Sequence, residues 1–238
     1  MAALVLPGDT IPHSALPKGT GKKKTLTLGP GLRHIPPNTV VSTVAGALAI
    51  DHKKNAASVE FNSGKYTAFP GDLVIATVHS SSAEAFQCFL TPHTATASLP
   101  HLAFEGATKK TRPQLAPNSL VYCRIVSCGK DLPAELTCVD PATGKSEGLG
   151  LLKGGMLFSV SLGMARRMLS AKGGVVLLEL LGAKIGFEVT VGRNGVVLVD
   201  GGGVKTTLAV GRALQEVDRE GLGEERQRKL AADVLKSL

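Results

Sequence analysis

Ser98-Leu99-Pro100-His101-Leu102-Ala103-Phe104-Glu105-Gly106-Ala107-Thr108-Lys109-Lys110-Thr111-Arg112-Pro113 begins as an apolar strand and continues as a cationic loop. The apolar run stops at Phe104, Gly106 turns the chain, and Lys109, Lys110 and Arg112 follow before Pro113. Such a cluster suits phosphate oxygens: an arginine grips them with paired hydrogen bonds, and lysines act as mobile point charges. On charge alone the stretch also reads as a solvated surface loop. Its neighbours decide. Residues 73–78, 85–90, 94–99, 119–126 and 135–139 alternate as short strands, and residues 102–117 form the long connection among them. Five strands at this spacing predict an OB-type barrel. Its interior is filled by side chains, so a ligand is met by the loops.

Around this barrel the punctuation marks two boundaries. Pro70-Gly71-Asp72 precedes it, and the turn-rich run from Asp140 to Gly150 follows it. The predicted division is an N-terminal β domain over 1–70, the OB barrel over 71–148 and a third domain over 149–238. The first contains the turn Val5-Leu6-Pro7-Gly8-Asp9, the break Gly29-Pro30-Gly31, and β-branched or alternating segments at 39–46 and 57–61. Lys22-Lys23-Lys24 lies in a Gly/Thr-rich stretch and reads as a solvated run, with contact to RNA or a partner left open. The third domain runs strand (156–160), basic helix (163–170), an apolar segment open to strand or helix (175–181), strands (185–191 and 196–200), helix (206–217) and an amphipathic terminal helix from Gly223. The order β-α-α-β-β-α is that of a KH domain. The expected class is therefore mainly β plus α+β.

The chain has 238 residues, 43% of them hydrophobic, and no tryptophan, so its cores rest on Val, Leu, Ile and Ala. The formal net charge is +8, which favours an acidic partner, nucleic acid first. It is unevenly spread: +5 over 1–70, −1 over 71–150 and +4 over 151–238. The cationic loop is thus a local feature on a near-neutral body. Cys88, Cys123, Cys128 and Cys138 form no CxxC pair and read as reduced, mostly buried thiols. Cys123 and Cys128, five apart in a strand, are expected on opposite faces. Without a basic, apolar leader or an uninterrupted apolar span, the chain is expected to be intracellular and soluble.

Chemistry-bearing motifs are few. Gly144-Lys145-Ser146 lacks the glycine that a phosphate-binding loop needs five residues before Gly144, where Val139 stands, and reads as an interdomain turn. Six histidines are scattered without metal-ligand spacing, and no nucleophile elbow or acidic cluster for magnesium occurs, so neither enzyme activity nor a metal or other cofactor is expected. Phe86 and Phe89 are three apart and face opposite ways, leaving Phe104 and Tyr122 as the stacking candidates; weak, salt-sensitive backbone contact is expected rather than base readout. Gly192-Arg193-Asn194-Gly195 fits the GxxG clamp of KH domains, but that clamp joins helices, whereas strands flank this one. Asn-Gly between strands predicts a structural hairpin with φ > 0 accessible to both residues.

The landmarks Val5-Leu6-Pro7-Gly8-Asp9, Gly29-Pro30-Gly31-Leu32-Arg33, Tyr66 with Pro70-Gly71-Asp72, residues 102–113, Ser159-Val160-Ser161-Leu162-Gly163 and Gly192-Arg193-Asn194-Gly195 span nearly the whole chain. Through them the sequence resembles the ribosomal RNA-processing protein 40 family, RNA exosome cap subunits with S1 and KH domains. The resemblance implies an N-terminal β domain, an S1-type OB fold and a KH domain whose GxNG segment is buried rather than a clamp. It implies a non-catalytic subunit that stabilises a ring of RNase-PH-like subunits beside other cap subunits. Its S1 domain would line the pore guiding single-stranded RNA to 3′–5′ degradation and rRNA processing. Implied partners also include nuclease and helicase cofactors, with residence in nucleus and nucleolus and a cytoplasmic share. The alternatives are the paralogous KH-bearing cap subunit and a free-standing RNA-binding adaptor. The expected RNA-binding residues are Lys109, Lys110 and Arg112; the expected structural turns are at Gly8, Gly31, Gly192, Asn194 and Gly195.

Overall fold

A computed structural model describes residues 3–17, 25–52, 55–62, 65–92, 94–129, 132–170 and 175–238; Lys22, Lys23 and Lys24 lie outside the described residues. The chain divides into two compact units, Met1–Ser63 and Gly64–Leu238.

In the first unit, short β-rich segments make two small sheets. Strands β1 (Leu4–Val5), β6 (Gly46–Asp51), β7 (Ala56–Glu60) and β3 (Thr27–Leu28) form one in that order; β2 (Thr10–Ile11), β5 (Thr39–Ser42) and β4 (Leu32–Ile35) form the other. Val5, Ile11, Val40, Leu48 and Val59 are buried between them. The single extended segment expected over 39–46 is two strands in different sheets. Ser42 breaks it: its buried hydroxyl donates to the Val44 carbonyl at 2.7 Å and turns the chain before β6 starts. Gly8 (φ +95°) and Gly31 (φ +83°) both sit at turns. At Gly31 the space is closed as well, since a Cβ would lie 2.7 Å from Val59 Cβ.

The second unit opens with an S1-type OB barrel. Strands β8 (Leu73–Ser81), β9 (Ala85–Phe89), β10 (Ala97–Pro100), β11 (Leu120–Ser127) and β12 (Glu135–Thr137) close because β12 pairs with both β10 and β11. A sixth strand, β13 (Gly150–Leu152), extends β11. Alternation puts Val74, Ala76, Val78, Leu99, Val121, Cys123 and Ile125 into one core with Phe86, Cys88 and Leu136. The expected opposition of Cys123 and Cys128 fails. The β11–β12 register shifts between Ile125 and Ser127, the extra residue Val126 is exposed, and Cys128 returns to pack against the same core. Burial pushes the Cys88 and Cys138 thiols up to about 12.

A KH domain completes this unit: β14 (Met156–Ser159), α1 (Leu162–Leu169), α2 (Val176–Gly182), β15 (Glu188–Gly192), β16 (Val196–Asp200), α3 (Val204–Glu220) and α4 (Glu224–Ser237). Its antiparallel sheet runs β14-β16-β15 and packs against the helices through Phe158, Leu177, Leu181, Val197, Val199, Val210 and Leu214. The ambiguous apolar run is helix α2, with Leu177 and Leu181 buried one turn apart. The strand expected from residue 185 begins only at Glu188, because the Ile185 amide still donates to Leu181 O at 2.9 Å. Ser161 caps α1 through its side chain, and donates from its amide and hydroxyl to Asp218 of α3.

Candidate nucleic-acid interface

The cationic loop leaves β10 with Phe104 turned in to pack against the barrel core and returns to β11 past buried Leu115. Between these anchors the loop holds itself. Ala107 N donates to Phe104 O at 3.1 Å around Gly106, which has φ +66°. Thr108 and Thr111 then staple a turn: the Thr108 amide donates to Thr111 Oγ1 at 3.1 Å, the Thr111 amide donates to Thr108 Oγ1 at 3.2 Å, and the two hydroxyls lie 2.8 Å apart. Thr111 Oγ1 donates onward to Gly106 O at 3.3 Å. Threonines three apart thus satisfy the turn's own polar groups and leave Lys109 and Lys110 exposed between them, with exposed Arg112 one residue beyond. Among the described residues none of these three cations is in an ion pair, whereas Arg124 pairs with Asp140 at 3.0 Å and Arg193 with Asp72 at 3.2 Å.

A further cation is brought to the loop's base. Glu105 Oε2 accepts from the Ser146 amide at 2.7 Å, across 41 residues of sequence. Hydrogen bonds from Ser146, with a smaller contribution from the Lys145 charge, hold the Glu105 carboxyl below the ordinary carboxylate range. The turn at Gly144-Lys145-Ser146 thereby adds Lys145 to the basic surface. Sequence reasoning passed over it because only tertiary pairing shows the connection. Among the aromatics, Phe86 is in the barrel core, Phe89 lies against the His79 ring at 4.7 Å between centroids, and the Tyr122 hydroxyl donates to Val191 O at 3.3 Å.

The Gly192–Gly195 segment has the opposite character. Gly192 pairs with Val196, so the hairpin is closed by a three-residue loop of Arg193, Asn194 and Gly195. Only Gly195 has positive φ, at +78°; the Gly195 amide closes the turn on Gly192 O at 3.1 Å. Asn194 is 5% exposed and reaches into the barrel: its Nδ2 donates to Ile75 O at 2.9 Å and Leu90 O at 2.6 Å, and its Oδ1 accepts from the Ile75 amide at 3.4 Å. The Arg193 amide donates to Leu73 O at 2.7 Å, while its side chain holds Asp72. The same carboxylate accepts from Tyr66 at 2.8 Å; burial, then this acceptor, push the Tyr66 hydroxyl far up. This turn joins the KH domain to the barrel, and its polar groups face protein.

No helix among the described residues is long and apolar enough to cross a membrane. Three family models match the chain: the S1 domain of exosome complex component RRP40 over residues 66–150, the N-terminal domain of exosome complex exonuclease Rrp40 over 26–64, and a KH domain over 155–205. Exosome complex component RRP40 of Drosophila melanogaster is 34% identical over 224 residues, covering 94% of this chain and 92% of the relative. The Saccharomyces cerevisiae relative of the same name is 32% identical, covering 91% and 89%; the Schizosaccharomyces pombe one is 35% identical, covering 98% and 94%. A crystal structure assigned to an exosome complex RNA-binding protein shares the fold, with a TM-score of 0.58 at 18% identity over 72% of this chain and 96% of that one.

Proposed function

This chain belongs to the exosome complex component RRP40 family, and from that premise we propose that it is a non-catalytic, RNA-binding cap subunit of an RNA exosome. The observation that carries the reading is the stapled loop: Lys109, Lys110 and Arg112 stand exposed, in no ion pair among the described residues, on a barrel region of net charge −1. Their attraction is for a backbone, not a base sequence, and it is salt-dependent. Arg112 can grip a phosphate in two places while the lysines follow a moving strand. Such a surface suits the wall of an entry pore, where single-stranded RNA must be held and still slide towards a nuclease carried by other subunits. In this reading the first unit and the KH domain meet RNase-PH-like ring subunits and neighbouring cap proteins. Residence follows the complex, in nucleus, nucleolus and cytoplasm.

Co-expression with ring and cap subunits tests the assignment. The wild-type chain should enter a particle of the whole ring and cap, and the isolated chain should not turn over RNA. The Lys109→Ala/Lys110→Ala/Arg112→Ala variant should assemble equally well but protect a shorter RNA from nuclease. Exclusion from the ring would favour a free-standing RNA-binding adaptor. RNA turnover by the isolated chain would overturn the non-catalytic assignment.

A further inference from the structure

Between the β8–β9 turn and the segment leaving the cationic loop lies a cleft of about 160 Å³, with Arg112 on one wall and Ser82 and Ala83 on the other. Its far wall is firmly built. The Ser82 amide and hydroxyl both donate to Ala85 O, at 2.9 and 2.7 Å, and the Ala85 amide donates back to Ser82 Oγ at 3.2 Å. His101 braces the turn from below: its Nε2 lies 3.0 Å from Ser82 O, and its ring meets Phe86 edge-on at 4.3 Å between centroids. A carbonyl only accepts, so Nε2 carries the hydrogen, and in the neutral ring Nδ1 is then an acceptor. That Nδ1 is buried without a hydrogen-bond partner in a residue 6% exposed. The His101 ring thus lines the cleft with its Nδ1 buried, and the polar groups open to a ligand are the Arg112 guanidinium, a donor, and the exposed Gln114 amide, both donor and acceptor. Phe86 adds an apolar surface to the lining.

This combination matches a flat heterocycle with donors and acceptors on its edge. Pockets for whole drug-sized ligands run to about 300–1,000 Å³, so the cleft holds one ring system and leaves the sugar and phosphate outside, on the side of Arg112. We propose that it is a nucleobase subsite, receiving one base of the RNA strand whose phosphate Arg112 holds. The proposal rests on the RNA-binding reading above and adds to it a contact that is not electrostatic. The strand is then checked at one nucleotide as it passes the loop, instead of sliding over charge alone.

Fluorescence anisotropy of the full-length chain tests this, using oligouridine and an oligomer of equal length and phosphate count whose sugars carry no base. Ala83→Leu fills the cleft from an exposed turn position, and Gln114→Ala removes a polar edge; thermal melts confirm that both variants fold. The intact RNA should bind wild type about tenfold more tightly than the abasic one, the scale of one stacked or hydrogen-bonded base. Both variants should lose most of that factor, keep the wild-type salt slope, and bind the abasic oligomer as wild type does. Equal binding of the two oligomers by wild type, or full affinity of Ala83→Leu for oligouridine, overturns the subsite. The Lys109→Ala/Lys110→Ala/Arg112→Ala variant separates the two readings. If its salt slope falls while Ala83→Leu is silent, the subsite is lost and the RNA reading stands; if neither variant changes binding, both are lost.

Discussion

Arg112 stands on a long loop turned by Gly106, and Arg193 in the three-residue loop that ends at Gly195, in domains that belong to one unit. Arg112 is exposed, with no ion-pair partner among the described residues, in a loop whose polar groups are satisfied by its own threonines. Arg193 is 41% exposed at its side chain, held to Asp72, in a turn whose asparagine is bonded to residues more than a hundred positions away. A basic residue in a glycine-containing loop therefore does not by itself mark an RNA contact. What matters is where the turn's hydrogen bonds go. A loop closed by local bonds leaves its charges free for a partner, whereas a turn closed by tertiary bonds has already been used to build the protein.

The largest effect should come from the buried anchor. Asn194→Ala removes the donors to Ile75 O and Leu90 O in a buried setting and should cost about 2–4 kcal/mol in denaturant unfolding. A loss below about 0.5 kcal/mol would mean that the turn is not the joint described here. Next is Gly195→Val, where a side chain meets both a φ of +78° and the Val160 carbonyl 2.7 Å from the Cβ position. It should lower stability by about 1–3 kcal/mol, read from the same curves. Gly31→Ala makes the parallel test in the first unit, and the closed space there predicts damage to the isolated fold, whereas Gly8, with nothing within 4 Å of a Cβ, should show a milder loss. Arg193→Ala should be smaller again. The pair with Asp72 is partly exposed, so its loss should cost under about 1 kcal/mol, and RNA affinity measured by filter binding should not move. The smallest stability change belongs to the cationic loop: replacing all three cations with Ala should shift the unfolding midpoint by no more than about 0.5 kcal/mol equivalent.

Much of this was legible in the chain because it rests on local pattern. The barrel strands follow from alternation, and the KH order follows from element lengths and glycine punctuation. The hairpin at 192–195 is written in Asn194-Gly195, whereas the threonine staple of Thr108 and Thr111 emerged only with the structure. What depends on pairing between distant residues was not legible. The bulge that returns Cys128 to the core is a matter of β11–β12 register, and Asn194 contacts Ile75 and Leu90 across 119 and 104 positions. Glu105 meets Ser146 across 41 positions, so a turn dismissed on its own sequence became part of the basic surface. The run at 175–181 stayed ambiguous because continuous apolar sequence serves a buried strand or a buried helix equally; only the Leu177 and Leu181 burial distinguishes them.

The contrast between the two turns is tested most directly by the salt dependence of single-stranded RNA binding. Affinities of wild type, Lys109→Ala/Lys110→Ala/Arg112→Ala and Arg193→Ala should be measured across a salt series, and the slope of log affinity against log salt compared. The loop variant should lose about 2 from the slope, at roughly 0.7 per single-strand phosphate contact, while Arg193→Ala keeps the wild-type value. An unchanged slope in the loop variant, or a lost slope in Arg193→Ala with its fold intact, would contradict the assignment of RNA contact to the loop and structure to the turn.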